Sequence, residues 1–179
     1  MTDDARQPRP AKGATPAGRS PAVVAENLKE QLYATLTVMA VTLGLTRAEH
    51  LTPAMAALAV TATALGLWLA TVIADQQAHR VVYGEVARGA DLRRLLYVSG
   101  PLLGCALAPL LLIGLSALGV LPLVDALYTS TWLGAAALFT WGCRAGLRMG
   151  ASRVAAVVAG LLDLGVGAVV VVIKLASGH

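Results

Sequence analysis

The chain has 179 residues, of which 57% are hydrophobic and only 13% charged, with a mean hydropathy of +0.71. Soluble domains carry about 25% charged residues. The composition therefore speaks against an ordinary soluble domain and for a membrane protein, long enough for one helical bundle and too short for a second globular domain. The net charge of +4 does not indicate a nucleic-acid binder, because the basic residues cluster at the ends of apolar segments and the 4% aromatic content supplies no stacking platform.

Residues 1–21 hold a run of prolines with almost no large apolar side chains, and are expected to be a disordered cytoplasmic tail. No apolar core follows the early charges, so the segment is not a signal peptide. Ser20 as cap and Pro21 at the first helical position open a helix near Ala22. Its membrane span is expected at about 28–45. Thr46–Thr52 reads as a short loop, and Pro53 starts the second helix, with a span over 54–74. The polar stretch 75–94 is the largest connection, with room for one cytoplasmic helix broken near Gly84 and Gly89. The third span, 95–118, contains Pro101 and Pro109, which free backbone carbonyls and bend it. The fourth span is expected at 123–143, followed by a short basic loop, 144–153, and a fifth span at 154–175.

Five spans put the termini on opposite sides. With the amino terminus inside, 12 of the 14 basic residues fall on the cytoplasmic side, and only Arg47 and Lys174 lie outside. The expectation is an all-α, polytopic integral membrane protein, a five-helix bundle with a cytoplasmic amino terminus and the lipid bilayer as its first partner. Arginine outnumbers lysine 11 to 3 beside abundant Ala, Val, Leu and Gly, a bias that suggests a GC-rich bacterial genome and so a bacterial inner (plasma) membrane.

Asp163 is the residue of greatest interest. It lies ten positions inside the apolar run Val154–Leu175, roughly 15 Å deep at about 1.5 Å per residue. A carboxylate there costs on the order of 3 kcal/mol, so it needs a partner, a proton or a task. One reading is a proton- or cation-binding carboxylate. The other is a hydrogen-bonding Asp that holds two helices together, through Thr42 or another threonine. Small residues at similar depth, Gly66, Gly104 beside Cys105, and Gly134, would let helices approach it.

Asp75 and His79, four residues apart at the end of the second span, share a helix face and with Glu85 form a candidate cation site; the alternative is a solvated helix end. Glu30 at the membrane edge either complements the helix dipole, as Glu26 does, or guards a cytoplasmic mouth with Tyr33, Thr35 and Thr37. Gly100 and Gly104, then Gly142 and Gly146, repeat at four-residue spacing and with Gly160 predict close helix packing, including packing between subunits of a homo-oligomer. No catalytic constellation occurs, and the three histidines are scattered, so neither an enzyme nor a cofactor is expected. Cys105 and Cys143 lack metal-ligand spacing and read as buried small side chains.

The five-span plan with its largest cytoplasmic linker after the second span resembles the vacuolar iron transporter (VIT-type) group. Ala137-Leu138-Phe139, Gly146-Leu147-Arg148-Met149 and Gly160-Leu161 look like that group's last two helices, and Pro101-Leu102-Leu103-Gly104 with Ala108-Pro109-Leu110-Leu111 is similar to its proline-bearing third helix. Gln31-Leu32-Tyr33-Ala34-Thr35, Trp68-Leu69-Ala70 and Ile173-Lys174 resemble small integral membrane proteins of actinobacteria more closely. Thr71 and Ile73 stand where those relatives have His and Tyr. Ala74-Asp75-Gln76-Gln77 and Tyr33-Ala34 replace the transporter group's metal-site motifs. The resemblance implies the fold without iron chemistry. Two functions follow as expectations. One is a secondary transporter for a divalent cation using Asp163, which the architecture favours. The other is a non-transporting scaffold or regulatory subunit with Asp163 as helix-packing hydrogen-bond donor.

Overall fold

The computed structural model describes residues 21–89, 92–93, 96 and 99–176. Most of the tail expected to be disordered, together with Asp91, Arg94, Leu95 and His179, lies outside the described residues. Every regular element among the described residues is helical.

Helix α1 spans Pro21–Leu45, with proline at the position where its missing N–H costs nothing. After the short connection, Thr52 caps helix α2, Pro53–Tyr83. Its backbone is extended and its hydroxyl accepts from the Met55 N–H at 3.2 Å. α2 has 31 residues and does not stop at 74, where the apolar run ends. Asp75 to Arg80 change the polarity of the helix but contain nothing that breaks it. The break comes at Gly84, in the left-handed conformation (φ 75°), whose N–H reaches the Arg80 carbonyl at 2.9 Å. The expected separate helix of the linker is thus, in its first half, a continuation of α2. Beyond Gly84 the chain doubles back. The Gln76 amide donates to the Ala87 carbonyl at 3.1 Å and accepts from the Ala87 N–H at 3.0 Å, which buries Ala87.

The third expected span is not one helix. α3, Pro101–Gly104, and α4, Leu107–Ala117, are separated by a tight turn at Cys105 and Ala106. The reason is Pro109, which has no N–H to offer the Cys105 carbonyl four residues back and whose ring would clash with it. The backbone tightens instead, with Cys105 N–H to Leu102 O at 3.4 Å and Ala106 N–H to Leu103 O at 3.2 Å.

α5, Leu123–Arg148, continues through most of the expected basic loop, so that only 149–152 connect it to α6, Arg153–Ala176. Gly150, at φ 76°, closes α5: its N–H bonds to Leu147 O at 3.1 Å, and the Ala151 N–H to Gly146 O at 3.2 Å. Ser152 then caps α6 through the Ala155 N–H. Basic side chains are compatible with the end of a helix, where they complement the dipole, which is why charge did not mark the boundary.

α5 is the hub, packed on α1, α4 and α6, while α2 packs on α1, α3 and α4. One core joins Ala56, Val60 and Ala64 of α2 to Ala106, Ile113 and Leu127; a second joins Met39, Leu138 and Val171. α2 and α6 are long and apolar enough to cross a membrane, yet only 17% and 22% of their most apolar windows are buried. Leu58, Leu65, Leu69 and Ile73 on α2, and Leu161, Leu162, Val166, Val169 and Val172 on α6, all face outward.

Candidate functional site

The α5–α6 hairpin is built on small residues that let two backbones touch. A Cβ added at Gly146 would meet Ala156 Cα at 2.8 Å, and one at Gly160 would meet the Phe139 carbonyl at 2.7 Å and Cys143 Sγ at 2.5 Å. A Cβ at Gly142 would meet Asp163 Oδ2 at 2.5 Å and Gly160 Cα at 2.7 Å. The register therefore runs Gly146 against Ala156, Gly142 against Gly160, and Leu138 against Gly167. The same spacing of small residues recurs on the partner helix as Ala156 and Gly160, a signal present in the sequence once alanine is counted among the small residues.

Asp163 follows Gly160 by three residues, on the same face. Side chains on a helix tilt toward its amino terminus, which sets the Asp163 carboxyl over the space left by the missing side chain of Gly142. Asp163 is half-buried there. No hydrogen bond or ion pair joins it to any described residue. Thr42 is not its partner: Thr42 Oγ1 lies 3.1 Å from Thr131 Oγ1 and 3.1 Å from the Met39 carbonyl, and so ties α1 to α5.

The other candidates do not converge on Asp163. His79 stacks on Tyr83, with ring centroids 4.5 Å apart, and the left-handed turn at Gly84 takes Glu85 off the helix that carries Asp75 and His79. Among the described residues no three His, Cys, Asp or Glu side chains come together as a metal site. Glu30 is buried at 9% exposure while Tyr33 faces outward, so the two do not line a common mouth. Gly104 and Gly66 do not share the close packing of Gly142, Gly146 and Gly160, for a Cβ on either would meet nothing within 4 Å. Gly100 stands half-buried just before α3.

Gly104 instead adjoins a cavity of about 230 Å³ between α1, the α3–α4 break and α5. Gln31, Thr35, Cys105, Pro109 and Trp141 are among its walls, and none of the described lining side chains is charged. Trp141 lines the cavity while its neighbour Gly142 seats Asp163, so the two features occupy different flanks of α5. Gln31 and Trp141 carried no functional expectation from sequence, since only the packing of α1 on α5 brings them together.

Comparison with protein-family models, with curated proteins and with solved structures finds no match.

Proposed function

We propose that the chain is a polytopic integral protein of a bacterial plasma membrane, a five-span bundle with its amino terminus in the cytoplasm. Within that membrane it acts by helix association, as a scaffold or regulatory subunit, rather than by moving cations. Support for the membrane comes from the exposed apolar faces of α2 and α6, far more extensive than the patches a soluble monomer leaves uncovered. Orientation rests on the placement of 12 of 14 basic residues on one side.

The observation that carries the choice of role is the seat of Asp163. It sits at a glycine crossing, on a different flank of α5 from the cavity, half-buried and with no hydrogen-bond partner among the described residues. In a bilayer such a group is satisfied by a donor or acceptor on a neighbouring chain. We take that chain to be a second copy. Asp163 also need not lie at the bilayer centre. The hairpin register sets Arg144 level with about Val158, five residues or roughly 7 Å toward the cytoplasm from Asp163. A guanidinium held among headgroups draws the carboxyl toward that side.

A secondary transporter for a divalent cation is the second reading, favoured by the proline break and the cavity beside it. Against it, no described residue of the cavity wall is a carboxylate. The test is reconstitution of wild type, Asp163→Asn and Asp163→Leu. Mass by light scattering in lipid nanodiscs and Fe²⁺ or Mn²⁺ flux into proteoliposomes under a pH gradient are read side by side. The association reading expects an oligomer for wild type and Asp163→Asn, a shift toward monomer for Asp163→Leu, and no flux. Flux in wild type that disappears in Asp163→Asn would replace it with the transporter.

A further inference from the structure

We propose that the cavity between α1, the α3–α4 break and α5 is a binding site for a small uncharged molecule with one hydrogen-bonding group, a hydroxyl by preference, on an apolar body.

Size comes first. An apolar cavity of about 150 Å³ accommodates benzene. The cavity here, about 230 Å³, suits a molecule a few atoms larger.

The polar groups come second. Thr42 pairs with Thr131, and Gly134 packs on Met39 and Thr35, which fixes α1 and α5 as antiparallel neighbours. Continuing that register along both helices sets Gln31 opposite Trp141 at one end of the cavity, with Thr35 one turn deeper. None of these three side chains makes a hydrogen bond to a described residue. Thr35 is the telling one. It is 6% exposed, and the buried hydroxyls of Thr42 and Ser130 are both bonded, Ser130 to the Ala126 carbonyl at 2.8 Å. The Thr35 side chain lines the cavity with its hydroxyl unbonded among the described residues, so a ligand hydroxyl there gains a hydrogen bond in a largely apolar setting. The Thr35 methyl faces Gly134, since its Cγ2 would lie 3.5 Å from a Cβ there. The break adds an acceptor, because Pro109 deprives the Cys105 carbonyl of its helical donor, and both residues line the cavity.

The absence of charge comes third. Among the described lining residues none is ionisable except Cys105, whose Sγ already donates to the Leu102 carbonyl at 2.7 Å. An ion entering would shed its hydration without gaining a counter-charge. The occupant is therefore neutral. Because the site lies across α5 from Asp163, it does not depend on the association reading above.

The experiment uses the full chain in lipid nanodiscs with Trp68→Phe and Trp132→Phe, leaving Trp141 as the single tryptophan. Trp141 fluorescence is titrated with 4-ethylphenol, with ethylbenzene, which lacks the hydroxyl, and with 4-ethylbenzoate, which is charged. We expect a saturable change with 4-ethylphenol, a weaker one with ethylbenzene and none with 4-ethylbenzoate. Gly104→Leu fills open space, and we expect it to keep the fold while weakening 4-ethylphenol by at least about tenfold. Thr35→Val, of equal shape, should weaken it roughly three- to tenfold. No saturable change with 4-ethylphenol overturns the proposal. So does an equal response to ethylbenzene, or a response that Thr35→Val leaves unaltered, either of which would mean partition into lipid.

Discussion

Gly142→Ala tests the α5–α6 crossing directly. The new Cβ would stand 2.7 Å from Gly160 Cα and 3.0 Å from the Ala159 carbonyl, both backbone atoms that cannot rotate away. Ordinary contact begins near 3.4 Å, so the two helices must part by about 0.7 Å at this point. A gap of that size forfeits a quarter to a half of each dispersion contact along the crossing, and overpacking of this kind costs about 1–3 kcal/mol. Replacing glycine by alanine in a helix returns about 1 kcal/mol of propensity, leaving a net loss of up to about 2 kcal/mol. Asp163 Oδ2 would also lose its seat. Gly66→Ala is the matched control: the same propensity gain in α2, with nothing within 4 Å of the new methyl. Unfolding followed by circular dichroism at 222 nm in mild detergent should show Gly142→Ala below wild type and Gly66→Ala at or above it. If the two variants behaved alike, the close crossing, and the placement of Asp163 that depends on it, would be refuted.

Two further outcomes follow from named contacts. Gln76→Ala removes both hydrogen bonds that hold Ala87, worth together about 1–3 kcal/mol; trypsin cleavage after the exposed Arg88 should rise on the order of tenfold, while Gln77→Ala leaves it unchanged. Thr42→Val and Thr131→Val should show a coupling of about 0.6 kcal/mol in a double-mutant cycle, because each hydroxyl also bonds a carbonyl of its own helix and only the bond between them is shared; strictly additive losses would deny the pairing.

The sequence by itself determined the elements that depend on local chemistry. Pro21 and Pro53 mark helix starts because proline suits the first turn and little else, and both stand there. The bend of the third helix was legible from Pro109, although it falls at Cys105 and Ala106, because the clash is with the carbonyl four residues earlier. Boundaries read from polarity were displaced: α2 runs past 74 and α5 past 143, since charge ends an apolar run without ending a helix. Gly142 and Gly146 were recognisable as a packing pair because their four-residue spacing puts them on one face of α5, against which Gly160 of α6 packs.

What only the tertiary structure decided is which surfaces meet. Gly104 has the same spacing from Gly100 that Gly146 has from Gly142, yet it faces a cavity, because the break after it turns that face away from any neighbour. Thr42 was a plausible partner for Asp163 by depth alone, but the α1–α5 register gives it to Thr131. Glu85 was grouped with Asp75 and His79 along the chain, and the turn at Gly84 takes it off their helix, while Glu30 is buried and Tyr33 faces outward. Thr35, Gln31 and Trp141 meet only because two helices distant in sequence lie antiparallel. Helical periodicity is a local property carried by each segment. Rotation and register between segments are set by how their side chains interlock, and no single stretch of sequence contains both halves of that fit.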